Sequence, residues 1–219
     1  MQKLSSLKAA GAIVVMSCAM QAQAELSANI GFASEYYYRG IFQTDSSASA
    51  GIDYEKGGIY VGAWTADVDD GLEYDIYGGY GFEVGEVSLS AGYTGYFYTG
   101  DFDDTYQEFN FSAGWKFISI GYTVGEYDNF EGDIDPDSGL ANEELDYDFL
   151  EVTLSHGEFS LTYGDFGDDL DGDYLEAGWG RTISDIDVGV SIIVSSDELA
   201  GTTEDDEAIV FTLGKSFDL

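Results

Sequence analysis

The connections in this chain are sorted by length. Stretches that alternate apolar and polar residues run from residue 28 to the C-terminus, for example "ANIGFASEYYYR", "IYVGAWTADV", "VSLSAGYTGYFY" and "IDVGVSIIVSS". The links at 40–46, 67–73, 100–105, 131–146, 167–173 and 197–206 read as long and acidic. Between them lie tight turns at 57–58, 85–86, 116–117, 156–158 and 182–185. A soluble sandwich has no reason to sort its connections in this way. A closed barrel crossing an outer membrane does, with short turns on the periplasmic side and longer loops outside. Both chain ends then fall on the short-turn side. The reading is all-β: a transmembrane up-and-down antiparallel β-barrel of about twelve strands, most near the ~9–11 residues a tilted spanning strand needs. Its short turns are periplasmic and its long acidic loops extracellular. A secreted soluble β-sandwich that binds calcium or sugar would leave the sorting unexplained.

The strand faces agree. Phe109, Phe111, Ala113 and Trp115 oppose Glu108, Asn110, Ser112, Gly114 and Lys116, and Ile186, Val188, Val190, Ile192 and Val194 oppose Asp187, Gly189 and Ser191. Apolar residues outward and small polar residues inward is the pattern of a barrel in lipid. Aromatics crowd the strand ends beside the long loops (Tyr36 to Tyr38, Tyr96 to Tyr98, Tyr127, Phe130, Tyr147, Phe166, Tyr174). A second set lies by the short turns (Tyr54, Phe82, Trp115, Phe117, Phe159, Phe217). Two such sets read as interfacial girdles. On this reading Tyr36 and Tyr38 point outward at headgroup level. Tyr37 points inward with Glu35 and Arg39, and Arg39 pairs with Glu35.

Composition narrows the context. Lys3 and Lys8, an apolar run and an A-x-A site make residues 1–24 a cleaved secretory signal peptide, leaving 25–219 as the barrel. The single cysteine, Cys18, lies in the part removed, so no disulfide is expected. The formal net charge is −36, with 7 Lys and Arg against 43 Asp and Glu. That excludes nucleic acid, whose phosphates need bases to displace counterions. Disordered acidic chains carry few aromatics and more proline; 17 tyrosines and 1 proline argue for order.

The segment "SANIGFASEYYYRGIFQTDSSASAGIDYE" followed by "IYVGAWTADVD", with a G-x-W at 62–64, resembles the TorF-type porins of Gram-negative bacteria, first catalogued as conserved proteins of unknown function. The resemblance extends over 25–219 and is firmest over 27–68. It implies an outer-membrane barrel with a channel role and carries no catalytic residues with it. The last strand, with Ile209, Phe211, Leu213, Phe217 and Leu219 on one face, resembles the C-terminal signal read by the barrel-assembly machinery. It ends on Leu219 rather than an aromatic, and Lys215 on the apolar face is expected to snorkel to the interface.

The expected function is passive diffusion of small solutes with cations favoured. The candidate lining is Glu35, Asp53, Asp75, Glu83, Glu108, Glu151, Glu176 and Asp187, against Arg39, Lys116 and Arg181; Tyr37, Tyr77 and Tyr96 are positioned to narrow it. The alternative is a non-conducting structural or adhesive barrel whose acidic loops act at the cell surface. Partners are then outer-membrane lipid and lipopolysaccharide, the assembly machinery and small solutes. In the longest loop, Asp133, Asp135, Asp137 and Glu144 take positions 1, 3, 5 and 12 of an EF-hand-like calcium loop. Ser138 stands where the sharp-turn glycine belongs, so no cofactor is expected beyond loose divalent-cation binding to the acidic loops. An enzyme is not expected. The one histidine, His156, lies in a short turn, its neighbour Ser155 diverges from it, and no nucleophile-elbow sequence is present.

Overall fold

The computed structural model describes residues 25–134 and 140–219. The expected signal peptide, and Asp135 and Asp137 of the expected calcium loop, lie outside the described residues. The strands are β1 (Glu25–Ala33), β2 (Tyr36–Tyr38), β3 (Ile41–Thr44), β4 (Ser47–Lys56), β5 (Ile59–Val68), β6 (Gly71–Val84) and β7 (Val87–Tyr98). They continue as β8 (Tyr106–Trp115), β9 (Ile118–Tyr127), β10 (Leu145–His156), β11 (Phe159–Asp168), β12 (Gly172–Ile183), β13 (Ile186–Ser195) and β14 (Asp206–Asp218). One helical turn, α1 (Asp197–Ala200), precedes β14.

Twelve of these strands close into one antiparallel barrel in chain order, β1 and β4 through β14. The seam is the pairing of β1 with β14, from Ser27 opposite Asp218 to Ala33 opposite Thr212. β2 and β3 stand apart as a hairpin of their own.

The five connections at one end are two-residue turns, at 57–58, 85–86, 116–117, 157–158 and 184–185. In the last, Ser184 and Asp185 both have positive φ (53° and 63°), as do Gly57 and Gly58 in the first. Two successive left-handed residues match the twist of a tight hairpin. At the other end the connections are 34–46, 69–70, 99–105, 128–144, 169–171 and 196–205. The sorting by length therefore holds with two corrections. The link expected as a long loop at 67–73 is a two-residue turn, because Asp67 and Glu73 are strand residues paired with Leu72 and Ala66. The link expected as a long loop at 167–173 is the three-residue turn 169–171, because Gly167 and Asp173 are strand residues paired with Asp148 and Asp165. The acidity of both stretches made them look like loop.

The outer wall is apolar. Ile30, Ile76, Phe109, Phe111, Ile192 and Phe211 are all exposed, as a lipid-facing surface requires. Near the turns, Tyr54, Phe82, Trp115, Phe117, Phe159 and Phe217 face out as expected for a girdle. The Lys215 ammonium lies 5.6 Å from the centre of the Phe217 ring.

Near the loops the expected girdle divides. Tyr74 and Phe97 stack on the outside and Tyr93 meets Phe109 edge-on. Tyr147, Phe149, Phe166 and Tyr174 instead point inward and form a buried cluster with Ile193, Ala208 and Val210. The core of this protein therefore lies inside the barrel, at its loop end. Along β10, Tyr147, Phe149 and Glu151 are buried, Thr153 is half-buried and Ser155 is exposed. Along β13 the inward residues open in the same direction, from buried Ser195, Ile193 and Ser191 to half-buried Gly189 and Asp187. The lumen is filled at the loop end and accessible from the turn end.

Candidate functional site

The filling is the β2–β3 hairpin, which the first long connection sends into the barrel rather than over its rim. "YYYRGIF" can turn there because Arg39 and Gly40 both take positive φ, 50° and 81°. This corrects the expected placement of the tyrosines. Tyr36 and Tyr38 do not face lipid, because β1 ends at Ala33 and the strand phase that would turn them outward ends with it. The Tyr36 hydroxyl donates to Glu73 at 2.7 Å, and its ring meets Trp64 edge-on. Tyr38 packs against Tyr96, and Tyr37 donates to Asp206 at 2.7 Å. The Ser195 hydroxyl donates to the Gly40 carbonyl at 2.6 Å. One short hairpin thus touches strands all round the barrel.

Arg39, at the tip, is 1% exposed. It pairs with Glu108, not with Glu35 in its own connection. Nη1 and Nη2 each donate to one Glu108 oxygen at 2.9 Å, and Nη2 lies 3.4 Å from the Thr123 hydroxyl. The guanidinium carbon lies 4.4 Å from the Phe149 ring centre and 4.9 Å from that of Tyr38. Glu108 also accepts from Tyr96 at 2.7 Å, Tyr147 at 2.8 Å and Asn110 at 2.8 Å. A bidentate buried pair with its remaining lone pairs satisfied is the arrangement in which a buried ion pair holds best.

The other expected lining residues fall into groups. Asp75 and Glu151 are buried beside this tier; Glu151 accepts from Tyr174 at 3.2 Å. Asp53, lower on the wall, accepts from Asn29 at 3.3 Å and from the Tyr77 hydroxyl. Tyr77 lies flat over the gap left by Gly62, where a Cβ would meet its ring at 2.6 Å. Glu176 is half-buried, Asp187 accepts from Thr182 at 2.5 Å near the turn end, and Glu83 is exposed at that mouth. Glu35 sits in the bend between β1 and β2.

Two bases do not line the lumen. Arg181 shares its face with Leu175 and Trp179, so it points outward; it lies 3.5 Å from Glu158, which also accepts from the Trp179 indole. Lys116 is in the turn, 3.8 Å from Glu86 and 4.3 Å from the Trp115 ring centre. Both are exposed charges at the turn end of the barrel. Of the expected lumen bases, Arg39 alone is buried inside.

Sequence reasoning missed Glu73, buried and held by Tyr36 and Tyr98, and the general partner of the inner carboxylates. With so few bases in the chain, phenols satisfy them: Glu73, Glu108, Glu151 and Asp53 each accept from tyrosine. The tyrosine count was the available signal. In the outer loops, Asp103 accepts from Tyr127 at 2.7 Å and Tyr106 at 3.0 Å, whose rings stack at 4.1 Å. Among the calcium-loop positions, Asp133 and Glu144 flank a small bridge between Ile134 and Ala141.

Burial raises the Asp103 carboxyl above the ordinary aspartate range, against the hydroxyl donors and the Asp104 amide that hold it down. Asp128 is raised by burial and then by Asp104 and Glu131. Glu144 is raised chiefly by Glu126. The folded loops therefore bind more protons than the unfolded chain in the window above pH ~4, where free aspartate titrates. Stability must fall as pH rises through that window. Protection factors of residues 99–105 and 128–134, the exchange rates taken relative to the free-amide rate at the same pH, are expected to rise on acidification from neutral pH to about 5. Protection factors equal or lower at the lower pH would refute this sign.

A sequence family described as "Bacterial protein of unknown function (Gcw_chp)" matches residues 18–217. No match to a curated protein is found. Among solved structures, the NanC porin in a rhombohedral crystal form is similar, with a TM-score of 0.55 and 11% identity over 89% of this chain and 100% of that one. A chain solved in work on the in-meso crystallization of membrane proteins has a TM-score of 0.60 and 8% identity, covering 89% of this chain and 84% of that one. At these identities the likeness is one of fold.

Proposed function

The chain belongs to the Gcw_chp family of bacterial proteins of unknown function, and we propose that it is a porin-like channel of the Gram-negative outer membrane. Small solutes diffuse through it, cations more readily than anions. One observation carries this reading: a closed twelve-strand barrel has a polar, carboxylate-rich lumen whose filling is a short hairpin rather than a packed core along its whole length. Twelve strands leave a wider bore than the eight-strand barrels that side chains fill. Rings of carboxylates attract cations and repel anions. Diffusion, not catalysis, is the chemistry such a lining suits. The apolar wall and turn-side aromatics fit outer-membrane lipid and lipopolysaccharide as surroundings, and the last strand fits recognition by the assembly machinery.

The closure of the loop end favours a second reading, a non-conducting barrel whose acidic loops serve the cell surface. A planar-bilayer recording of the refolded protein under a salt gradient separates the two. Stepwise openings with a reversal potential displaced towards the cation equilibrium value are expected. A silent bilayer, with folding verified by heat-modifiable gel mobility, would sink the channel reading. A reversal potential on the anion side would sink its selectivity.

A further inference from the structure

The buried tier is built like a receptor for a planar cation. Glu108 offers two oxygens to two guanidinium nitrogens, and the guanidinium carbon lies over the Phe149 ring, 4.4 Å from its centre. Carboxylate fork plus aromatic face is the set that distinguishes guanidinium from a point-like ammonium. Glu108, Thr123 and Phe149 all belong to the barrel wall, on β8, β9 and β10. None of the three belongs to the hairpin. Arg39 therefore occupies a seat that the wall provides.

One buried acceptor beside the tier is left without a donor: Oδ1 of Asp75, a residue only 8% exposed, has no hydrogen-bond partner, and the Arg39 Nε and the Tyr38 hydroxyl are likewise unpartnered. Asp75 shares a face of β6 with Glu73 and lies within electrostatic reach of both Glu73 and Glu108. Glu73, Asp75, Glu108 and Glu151 are buried here with a single guanidinium among the described residues. A buried carboxylate oxygen with no donor is costly, and an incoming cation with N–H groups relieves that cost.

The geometry points to the Glu108–Phe149 seat, with Asp75 beside it, as a binding site for guanidinium-bearing solutes, occupied in cis by Arg39 until such a solute displaces it. This deepens the channel reading and rests on it for its physiological meaning. Binding itself is testable without conductance.

The test is calorimetric titration of the refolded full chain carrying Arg39→Ala with methylguanidinium, methylammonium and urea. Saturable methylguanidinium binding is expected, tighter than methylammonium by about tenfold, the value of one charge-assisted hydrogen bond. Urea, which has the shape without the charge, should not bind. Adding Glu108→Gln to Arg39→Ala should abolish the binding. Comparable binding of methylammonium or urea, or binding that survives the loss of the Glu108 charge, would overturn the proposal. Should Arg39→Ala not refold, Arg39→Lys keeps a buried charge. There methylguanidinium should compete for the seat with the same dependence on Glu108, and failure to do so overturns the proposal too. Binding with a silent bilayer would remove the channel reading alone. Conductance without guanidinium binding would remove this inference alone.

Discussion

Replacing Arg39 with alanine is expected to give the largest change in conductance of any single substitution, with openings severalfold larger than those of the unaltered chain. The hairpin is held at its tip by the two 2.9 Å bonds to Glu108 and by the contact with the Phe149 ring, and all three vanish together. Removing one partner of a buried pair leaves an uncompensated charge, a loss of about 3–5 kcal/mol. Glu108 keeps its bonds from Tyr96, Tyr147 and Asn110, so the wall should stay closed while the hairpin loosens. Single-channel recording measures the opening and thermal unfolding measures the loss. Glu108→Gln should act in the same direction, and the double variant should cost less than the two single losses added. Openings unchanged in size would mean that the hairpin is not the constriction.

Gly40→Val should unseat the same hairpin while leaving both charges in the chain. Gly40 has φ near +81°, where a β-branched residue is strained by roughly 1–3 kcal/mol. A Cβ there would sit 2.6 Å from the Tyr174 Cβ and 2.8 Å from its Cγ. Tyr174 belongs to the buried cluster and has little room to yield. The displaced tip would also lose the bond from Ser195. The expected result is a conductance close to that of Arg39→Ala, with a smaller loss of thermal stability. A valine variant that conducts like the parent would show that the ion pair seats the hairpin against this clash. Read together, the two variants separate the contribution of charge from that of fit.

Much of the wall was legible because its physics is local. Alternation along β8 or β13 assigns each side chain to lipid or lumen, and a two-residue turn reveals itself by length. The inside was not legible for a different reason. Tyr36, Tyr37 and Tyr38 look like a strand end because adjacent aromatics suit an interface, and nothing next to them in sequence says that the strand has stopped at Ala33. Arg39 is 69 residues from Glu108, and only barrel closure makes them neighbours. Arg181 was misassigned through phase: counted from Trp179 it falls outward, whereas its charge alone suggested the lumen. Asp67 and Glu73 misled for the same reason, acidity standing in for geometry. The pairing of carboxylates with phenols was implicit in a chain with 17 tyrosines and few bases, but which phenol meets which acid depends on register around the whole barrel.

The cross-strand ties of the hairpin also have a mechanical meaning. A thin-walled tube resists ovalisation poorly unless something spans its interior. Here a bulkhead does so at one end only, tied to β6 through Glu73, β8 through Glu108, β13 through Ser195 and β14 through Asp206. The other end is ringed by two-residue turns, and its inward positions include Gly79, Gly114, Gly189 and Gly214. Lateral pressure should therefore leave the braced rim round and flex the unbraced mouth, so that the end facing away from the loops sets the compliance of the molecule.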